Sequence, residues 1–568
     1  MKFPHIFRSL LVFILLSACA FGIDREAFTF TRYDLDIKID GPLQALMAKG
    51  TVTLRNDSSA PQHLAVLQIS STLEWQSVKV DGKAVQYLTQ PYTSDVDHTG
   101  KLTEAIVTLP HEIPPKQKVE LEVAYQGTIP ADATRLTRIG VPADAAARND
   151  WDQISAQVTA VRGVGYVAWY PVALEALNLS EGPQTFSTLN AWKARHENSS
   201  MRVNLCTEVD EPTPPTLLMN SAQAGVQGGS VAGTKEGTTV VCRVNSYGRL
   251  GLTVPTFVMA NYATLDRPAM TAYYLPDHKL AAMDYAIATE SVLPFSTQWF
   301  GKPHEKVVVV DLGQTGATPF ESGPMLFTPV VPVDQKRLQL TLIHQLVHAT
   351  FSSPRPWIYE GLAHFAQALE REQQEGRKAA LAYMGAFRPA LVEAEKSGEP
   401  QSLVGAHDEV FYRTKAMFVW WMLKDMVGDD ALQHAIQAYR AEKDSEPSYL
   451  QHLLATASKR DLEWFFDAWV YRDRGLPDFR VASSYPRQML NGSFLVTVTV
   501  ENLGDAAADV PVFVQAGAGE NSQRVMVAAK GKGVARIQMP VAPDQVTVND
   551  GSVPERSEGN NSFTIKTQ

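Results

Sequence analysis

The apolar residues of this chain change their spacing twice, and that change limits the folds open to it. From Phe28 to about Tyr125, short runs such as YDLDIKI, GTVTLRN, AIVTLP and VELEVAY alternate apolar and polar residues and are separated by Gly, Pro and Asn. Period two with frequent turn signals predicts antiparallel β structure. A second, looser β-rich stretch is expected from Thr185 to Tyr262, after an irregular and partly helical insert near Val141 to Ile154. After about Arg267 the period becomes helical, at Lys279–Phe300, Lys336–Phe351, Glu360–Glu395, Glu409–Met426, Ala431–Glu442 and Leu462–Tyr471, with one apolar strand at Val307–Asp311. Beyond Pro477 alternation returns in SFLVTVTVEN, VPVFVQA, RVMVAA and ARIQMPV, which predicts a β-sandwich of immunoglobulin-like size.

A chain of 568 residues exceeds what one hydrophobic core supports, and roughly three or four domains are expected. The patterning assigns a multidomain α+β protein: an N-terminal β-sandwich or saddle region over 23–265, a mainly helical domain over 266–477 and an immunoglobulin-like β-sandwich over 478–568. With 45% hydrophobic and 20% charged residues, neither disorder nor a fibrous class is indicated. The net charge of -10, with no compensating basic tract, argues against nucleic acid, whose binders present basic surfaces to phosphate.

Residues 1–22 read as a secretory signal: Lys2 and Arg8 precede an apolar run from Leu10 to Leu16, followed by small residues. The run is shorter than the ~20 residues a spanning helix needs. Leu16-Ser17-Ala18-Cys19 resembles the bacterial lipobox, which would leave Cys19 as a lipid-anchored N-terminus; ordinary cleavage just downstream is the alternative. The expected location is outside the cytoplasm, as a periplasmic or outer-membrane lipoprotein or a secreted protein. Two cysteines then remain, Cys206 and Cys242, in strand-like segments around the Gly-rich stretch QGGSVAGTKEG. Export makes a disulfide between them the expectation, with two buried thiols as the alternative.

The chemistry-bearing segment is KRLQLTLIHQLVHATF. His344 and His348 lie four apart on a stretch with helical periodicity, so their imidazoles sit one turn apart on one face and can chelate one metal ion. Eleven residues separate His348 from Glu360 in PWIYEGLAHFAQ, where a carboxylate would close a His₂Glu zinc site and leave a position open. In zinc peptidases of the H-E-x-x-H type the residue after the first histidine is a glutamate acting as general base. Here that residue is Gln345.

HQLVH followed by WIYEGLAHF resembles the zinc site of the membrane alanyl aminopeptidase (aminopeptidase N) family of gluzincin metallopeptidases. FTFTRYDLDIKID and AKGTVTLRNDS are similar to that family's N-terminal β-domain, VPTFVMANY to the lead-in to its thermolysin-like domain, and FFDAWVYRDRGLPDF to the segment that ends it. The resemblance implies zinc held by His344, His348 and Glu360, and peptide substrates taken from their N-terminus. It also implies a glutamate for the substrate amine upstream of the histidine helix, where GATPFESGPMLF offers Glu321; a solvated loop carboxylate is the other reading. A tyrosine donating to the developing oxyanion corresponds to Tyr412, three before Lys415 in DEVFYRTKAMFVWW; aromatic packing at a helix start is the other reading. The connection from His348 to Glu360 is shorter than is usual in that family, so a differently walled cleft is expected.

A glutamine matches a glutamate in shape and hydrogen-bonds water, but it cannot take a proton. General acid–base catalysis contributes about 10²- to 10⁴-fold, so an active enzyme would need another base, for which Glu370, Glu409 and His364 are candidates, a residue supporting the site or on the surface being the other and preferred reading of His364. Two readings follow: a zinc metallopeptidase of aminopeptidase type, or a catalytically impaired zinc-binding pseudopeptidase that serves as a peptide or partner binding module. A purely structural envelope protein is the third and requires the histidines to be packing residues.

Overall fold

The computed structural model describes residues 23–209, 214–220, 230–235, 238–251, 253–397 and 401–565. The expected signal segment, Cys19 and part of the Gly-rich stretch lie outside the described residues. The chain is a multidomain α+β protein. Alternation in its first third produces an eight-stranded sheet in the order Ser230–Lys235, Thr238–Tyr247, Ser200–Val209, Phe28–Asp40, Ala45–Asn56, Lys118–Thr128, Leu73–Val80, Lys83–Ala84. Phe28–Asp40 and Ser200–Val209 pair in parallel, and the other neighbours pair antiparallel. The period of two is legible in the burial: Leu35, Ile37 and Ile39 point into the core while Asp36 faces water, as the pleat requires. Cys206 sits directly opposite Cys242 on neighbouring strands, their Cα atoms 4.1 Å apart, and the two form a disulfide.

One long stretch departs from the sequence expectation. Thr185–Tyr262 is not β throughout, because Pro183–Arg195 is a helix, with Pro183 in its first turn, where a missing N–H costs nothing. The helical region likewise contains more than one strand. Ala263–Asp266, Met270–Tyr274, Val307–Asp311, Met325–Thr328 and Phe320–Ser322 form a five-stranded sheet in that order. Its middle strand is buried along its whole length, and only that strand carries a continuous apolar run. The flanking strands have three to five residues, too few for alternation to stand out from noise.

Against this sheet pack the helices Lys279–Phe300 and Gln335–Thr350; Pro356–Glu375 packs on Gln335–Thr350, and Ala416–Val427 on Pro356–Glu375. Their apolar faces meet in an aromatic core of Trp299, Trp357, Phe365, Trp420 and Trp421, all nearly inaccessible to solvent. The expected single helix Glu360–Glu395 is three: Pro356–Glu375, Arg377–Gly385 and Arg388–Ser397. Gly376 breaks the first at a positive φ of 83°, a conformation without penalty only for glycine. After Pro477, sheets of three and four strands share one core built from Val496, Val498, Val510, Val512, Ile537 and Val546. That core is continuous with the helical one. No helix among the described residues is long and apolar enough to cross a membrane.

A third cluster joins the N-terminal β region to the five-stranded sheet, with Trp151, Leu218 and Val258 packed on Val308, Val310 and Phe327. Beside it lies a buried polar layer. Arg135 makes a double ion pair with Asp150, and Arg162 with Asp152; the Arg162 guanidinium lies between the rings of Trp151 and Tyr166. His98 donates its backbone N–H to the Tyr166 carbonyl, and its neighbour Asp97 is fully buried with one oxygen bonded by Ser70. Burial raises the Asp97 carboxyl from 3.8 to about 6, against the pull of His98 and Ser70. A carboxyl raised on folding gives stability that is present below its unfolded value and lost as pH rises through its folded value. Asp97→Asn should therefore remove a stability loss of about 2–3 kcal/mol between pH 4 and pH 7.5, measured as the change in the variant-minus-wild-type unfolding free energy over that range.

Candidate metal centre

The helix Gln335–Thr350 starts where Asp334 accepts a hydrogen bond from the Arg337 N–H at 3.2 Å, which satisfies one of the free donors of its first turn. Its last two turns are buried from Leu342 to Thr350, so His344, Gln345 and His348 all sit in the interior. Five residues, Phe351–Arg355, return the chain to the helix Pro356–Glu375. Arg355 fixes this return by a double contact with Asp444 at 2.8 and 2.9 Å. The second helix brings Glu360 in its second turn and His364 one turn later.

Gly361 explains how closely the two walls approach. A Cβ there would meet the Ala416 Cβ at 2.6 Å and the Trp420 indole nitrogen at 3.1 Å, so the Pro356–Glu375 and Ala416–Val427 helices pack backbone against side chain at the residue next to Glu360. Ala416–Val427 is preceded by a π-helical turn, Val410–Lys415, a widening common at functional sites. Lys415, 1% exposed at its side chain, anchors that turn through Glu395 at 2.7 Å and Asp473 at 3.2 Å. Tyr412 and Arg413 thereby reach the site.

The imidazoles of His344 and His348 present their Nε2 atoms to each other at 3.1 Å. Glu360 Oε1 lies 3.8 Å from the His348 Nε2, and one donor atom from each of the three residues falls within 4.8 Å of the others. Two nitrogens bound to one tetrahedral zinc would stand about 3.3 Å apart, given zinc–nitrogen bonds of ~2.0–2.1 Å. The donor set therefore fits a divalent zinc-type ion without rearrangement of the helices. Arg413 Nε donates to the other oxygen of Glu360 at 3.2 Å, which leaves Oε1 as the oxygen turned toward the histidines.

Glu321 completes the group. It sits on the short strand Phe320–Ser322, paired with Met325–Thr328, and its Oε2 is 3.1 Å from the His344 Nε2. The turn after it uses Gly323 at φ +56°, where any side chain would be strained and would meet the Tyr359 hydroxyl at 3.2 Å. From the N-terminal region Asn220 donates to the Ser322 hydroxyl at 2.6 Å and the Tyr166 ring packs edge-on against Phe320, 5.7 Å between centroids. Glu321 is thus placed by residues far away in sequence.

Charge in this pocket is strongly coupled. Burial disfavours a protonated His344, but the charge and hydrogen bond of Glu321 outweigh it and raise the imidazole above its ordinary value. Burial likewise works against an ionised Glu321, and His344, through its charge and hydrogen bond, holds the carboxyl well below the usual range. Burial first, then repulsion by His344, keeps His348 and His364 neutral, the form that binds a metal. Burial raises the Tyr412 hydroxyl well above 10, so it is a proton donor, with Glu409 adding to the effect.

The candidate bases fall in different places. His364 packs edge-on to His344 with centroids 4.9 Å apart. Glu409 is bound to Arg413 at 3.3 Å, and Glu370 accepts from Gln374 at 2.7 Å. Gln345 is fully buried, and both of its amide atoms lack a partner among the described residues. The carboxylate nearest to the His344 and His348 nitrogens is Glu321, at 3.1 Å against 3.8 Å for Glu360, and sequence reasoning assigned it to a substrate amine. That reasoning missed Arg413, Tyr166 and Lys193: the first adjoins the singled-out Tyr412, but all three reach the site only through the fold. A cleft of about 450 Å³ opens beside the group and is lined by His348, Glu360, Glu321, Tyr412, Arg413 and Tyr166, among others.

No model of a known protein family matches the sequence, and no curated protein matches it. Among solved structures, Legionella pneumophila aminopeptidase A, determined in complex with aspartic acid, is similar in fold with a TM-score of 0.59 at 11% identity. The match covers 93% of this chain and 59% of that one, so this chain spans little more than half of that enzyme's length. At this identity the likeness shows the fold alone: the chain shares the architecture of that structure.

The close approach at Gly361 is open to test. Gly361→Ala should lower unfolding free energy by about 1–3 kcal/mol through overpacking against Ala416 and Trp420, with the loss read from denaturant titration followed by tryptophan fluorescence.

Proposed function

We propose that the protein is a zinc metallopeptidase-like protein of the gluzincin type, related to the aminopeptidase N family, that binds peptides outside the cytoplasm and turns them over poorly because Gln345 stands where the general base belongs. The observation that carries this reading is the convergence of the His344 and His348 Nε2 atoms, 3.1 Å apart, with Glu360 on the wall of a cleft of peptide size. In this reading the domains are 23–265, a thermolysin-like 266–477 and an immunoglobulin-like 478–568. Residues 1–22 are an export signal, with Cys19 as the lipid-bearing residue, and the Cys206–Cys242 disulfide suits an oxidising compartment.

His344, His348 and Glu360 hold the metal. When bound, zinc supplies Lewis-acid polarisation of a peptide carbonyl and a lowered pKa for water. The residues of the chain do the rest. Arg413 orients Glu360 by binding its second oxygen, the kind of outer contact on which ligand placement depends. Tyr412 remains protonated in its buried setting and donates to the oxygen that becomes negative. Glu321 offers a carboxylate to the ammonium of the peptide N-terminus. Gln345 accepts a hydrogen bond from the attacking water but takes no proton, which is the step that fails.

The position of Glu321 favours one second reading. Its carboxylate lies at 3.1 Å from a metal-ligand nitrogen, near enough to take the proton that Gln345 cannot. The two readings separate in one assay of hydrolysis of an aminoacyl-anilide panel. Wild type is expected to hold about one zinc per chain by elemental analysis and His348→Ala to hold none. Gln345→Glu should raise turnover by about 10²- to 10⁴-fold. Chelator-sensitive wild-type activity that Glu321→Gln abolishes would replace the impaired reading with an active enzyme, and a wild type without zinc would overturn both.

A further inference from the structure

The cleft carries a second charged end that the zinc chemistry does not use. Lys193, on the helix Pro183–Arg195 of the N-terminal region, lines the same cavity as His348, Glu360 and Glu321. The other basic side chains on its wall are already committed. Arg249 is bound by Glu197 at 2.6 Å, and Arg413 is bound by Glu360 and Glu409. Among the described residues no carboxylate oxygen lies within ion-pairing distance of the Lys193 ammonium, which is only partly exposed. Its environment is unfavourable as it stands: burial lowers its pKa, Glu409 pulls it up and Arg413 pushes it down. A half-buried cation on a cavity wall without its own counter-ion is stabilised by an anion that the cavity admits.

We infer that Lys193 is a specificity-determining residue that binds a carboxylate of the peptide occupying the cleft. The inference rests on the peptide-binding reading above and deepens it. A cavity of about 450 Å³ with a carboxylate at one place, Glu321, and an uncompensated ammonium at another matches a short zwitterionic peptide. The carboxylate has two sources, a free C-terminus or an acidic side chain, and both present the same group to the ammonium.

The test is calorimetric, on the zinc-loaded native chain and on Lys193→Met and Lys193→Arg, each checked for zinc content. The probes are trialanine, trialanine amide and the amide of alanyl-glutamyl-alanine. Trialanine binding about tenfold or more tighter than its amide, as expected of one charge-assisted contact, with the preference lost in Lys193→Met and kept in Lys193→Arg, would assign the C-terminal carboxylate. The same pattern for the glutamyl amide over trialanine amide would assign the acidic side chain. Ratios unchanged by Lys193→Met, or lost equally in Lys193→Arg, would overturn this inference and leave the peptide cleft standing. Failure of the native chain to bind any of the three would overturn both.

Discussion

Four ionisable side chains, Glu321, His344, Glu360 and Arg413, meet at the wall of the cleft, His344 buried and the other three partly exposed, and the surrounding fold holds them together. An unpaired charge in such a place costs several kcal/mol, and a pair is tolerated only when its geometry is good and its remaining hydrogen bonds are met. The contacts at 3.1 Å from Glu321 to His344 and 3.2 Å from Arg413 to Glu360 meet that requirement. Three of the elements that contribute one of the four are tied down by a polar contact elsewhere: the π-helical turn by Lys415 with Glu395 and Asp473, the Glu321 strand by Asn220, the return before Glu360 by Arg355 with Asp444.

This arrangement also explains why the site is shared between distant parts of the chain. The helices supply the His344, His348 and Glu360 donor atoms, but the strand bearing Glu321 is buttressed by Tyr166 and Asn220 from the N-terminal region. The apolar joint around Trp151, Val258 and Phe327 thus does more than connect two units. It helps set where the Glu321 carboxylate stands against the His344 imidazole.

Much of this was legible in the sequence, though unevenly. The long helices were, because a 3.6-residue apolar period repeated over five or six turns cannot arise from a strand: Lys279–Phe300 is observed with the bounds the pattern predicts. So was the association of His344, His348 and Glu360, because spacing on two consecutive helices leaves few ways to arrange them. The short strands beside Val307–Asp311 were not, since three to five residues carry too little period, and the Pro183–Arg195 helix was hidden by its weak amphipathicity between β-rich runs. Arg413 adjoins a residue that was singled out, yet nothing local shows that it reaches across to Glu360.

The sequence by itself determined the periodicities, the two histidines and glutamate of the donor set, and the presence of Gln345, which takes no proton, beside the first histidine, because these depend on residue identity and on spacing within one or two elements. Tertiary structure alone decided that Glu321 faces His344, that Arg413 takes one oxygen of Glu360, and that Lys193 shares their cleft. Those side chains come from separate segments, and which of them meet is decided by how the sheets and helices bury their apolar faces against one another, a long-range outcome that no local pattern encodes.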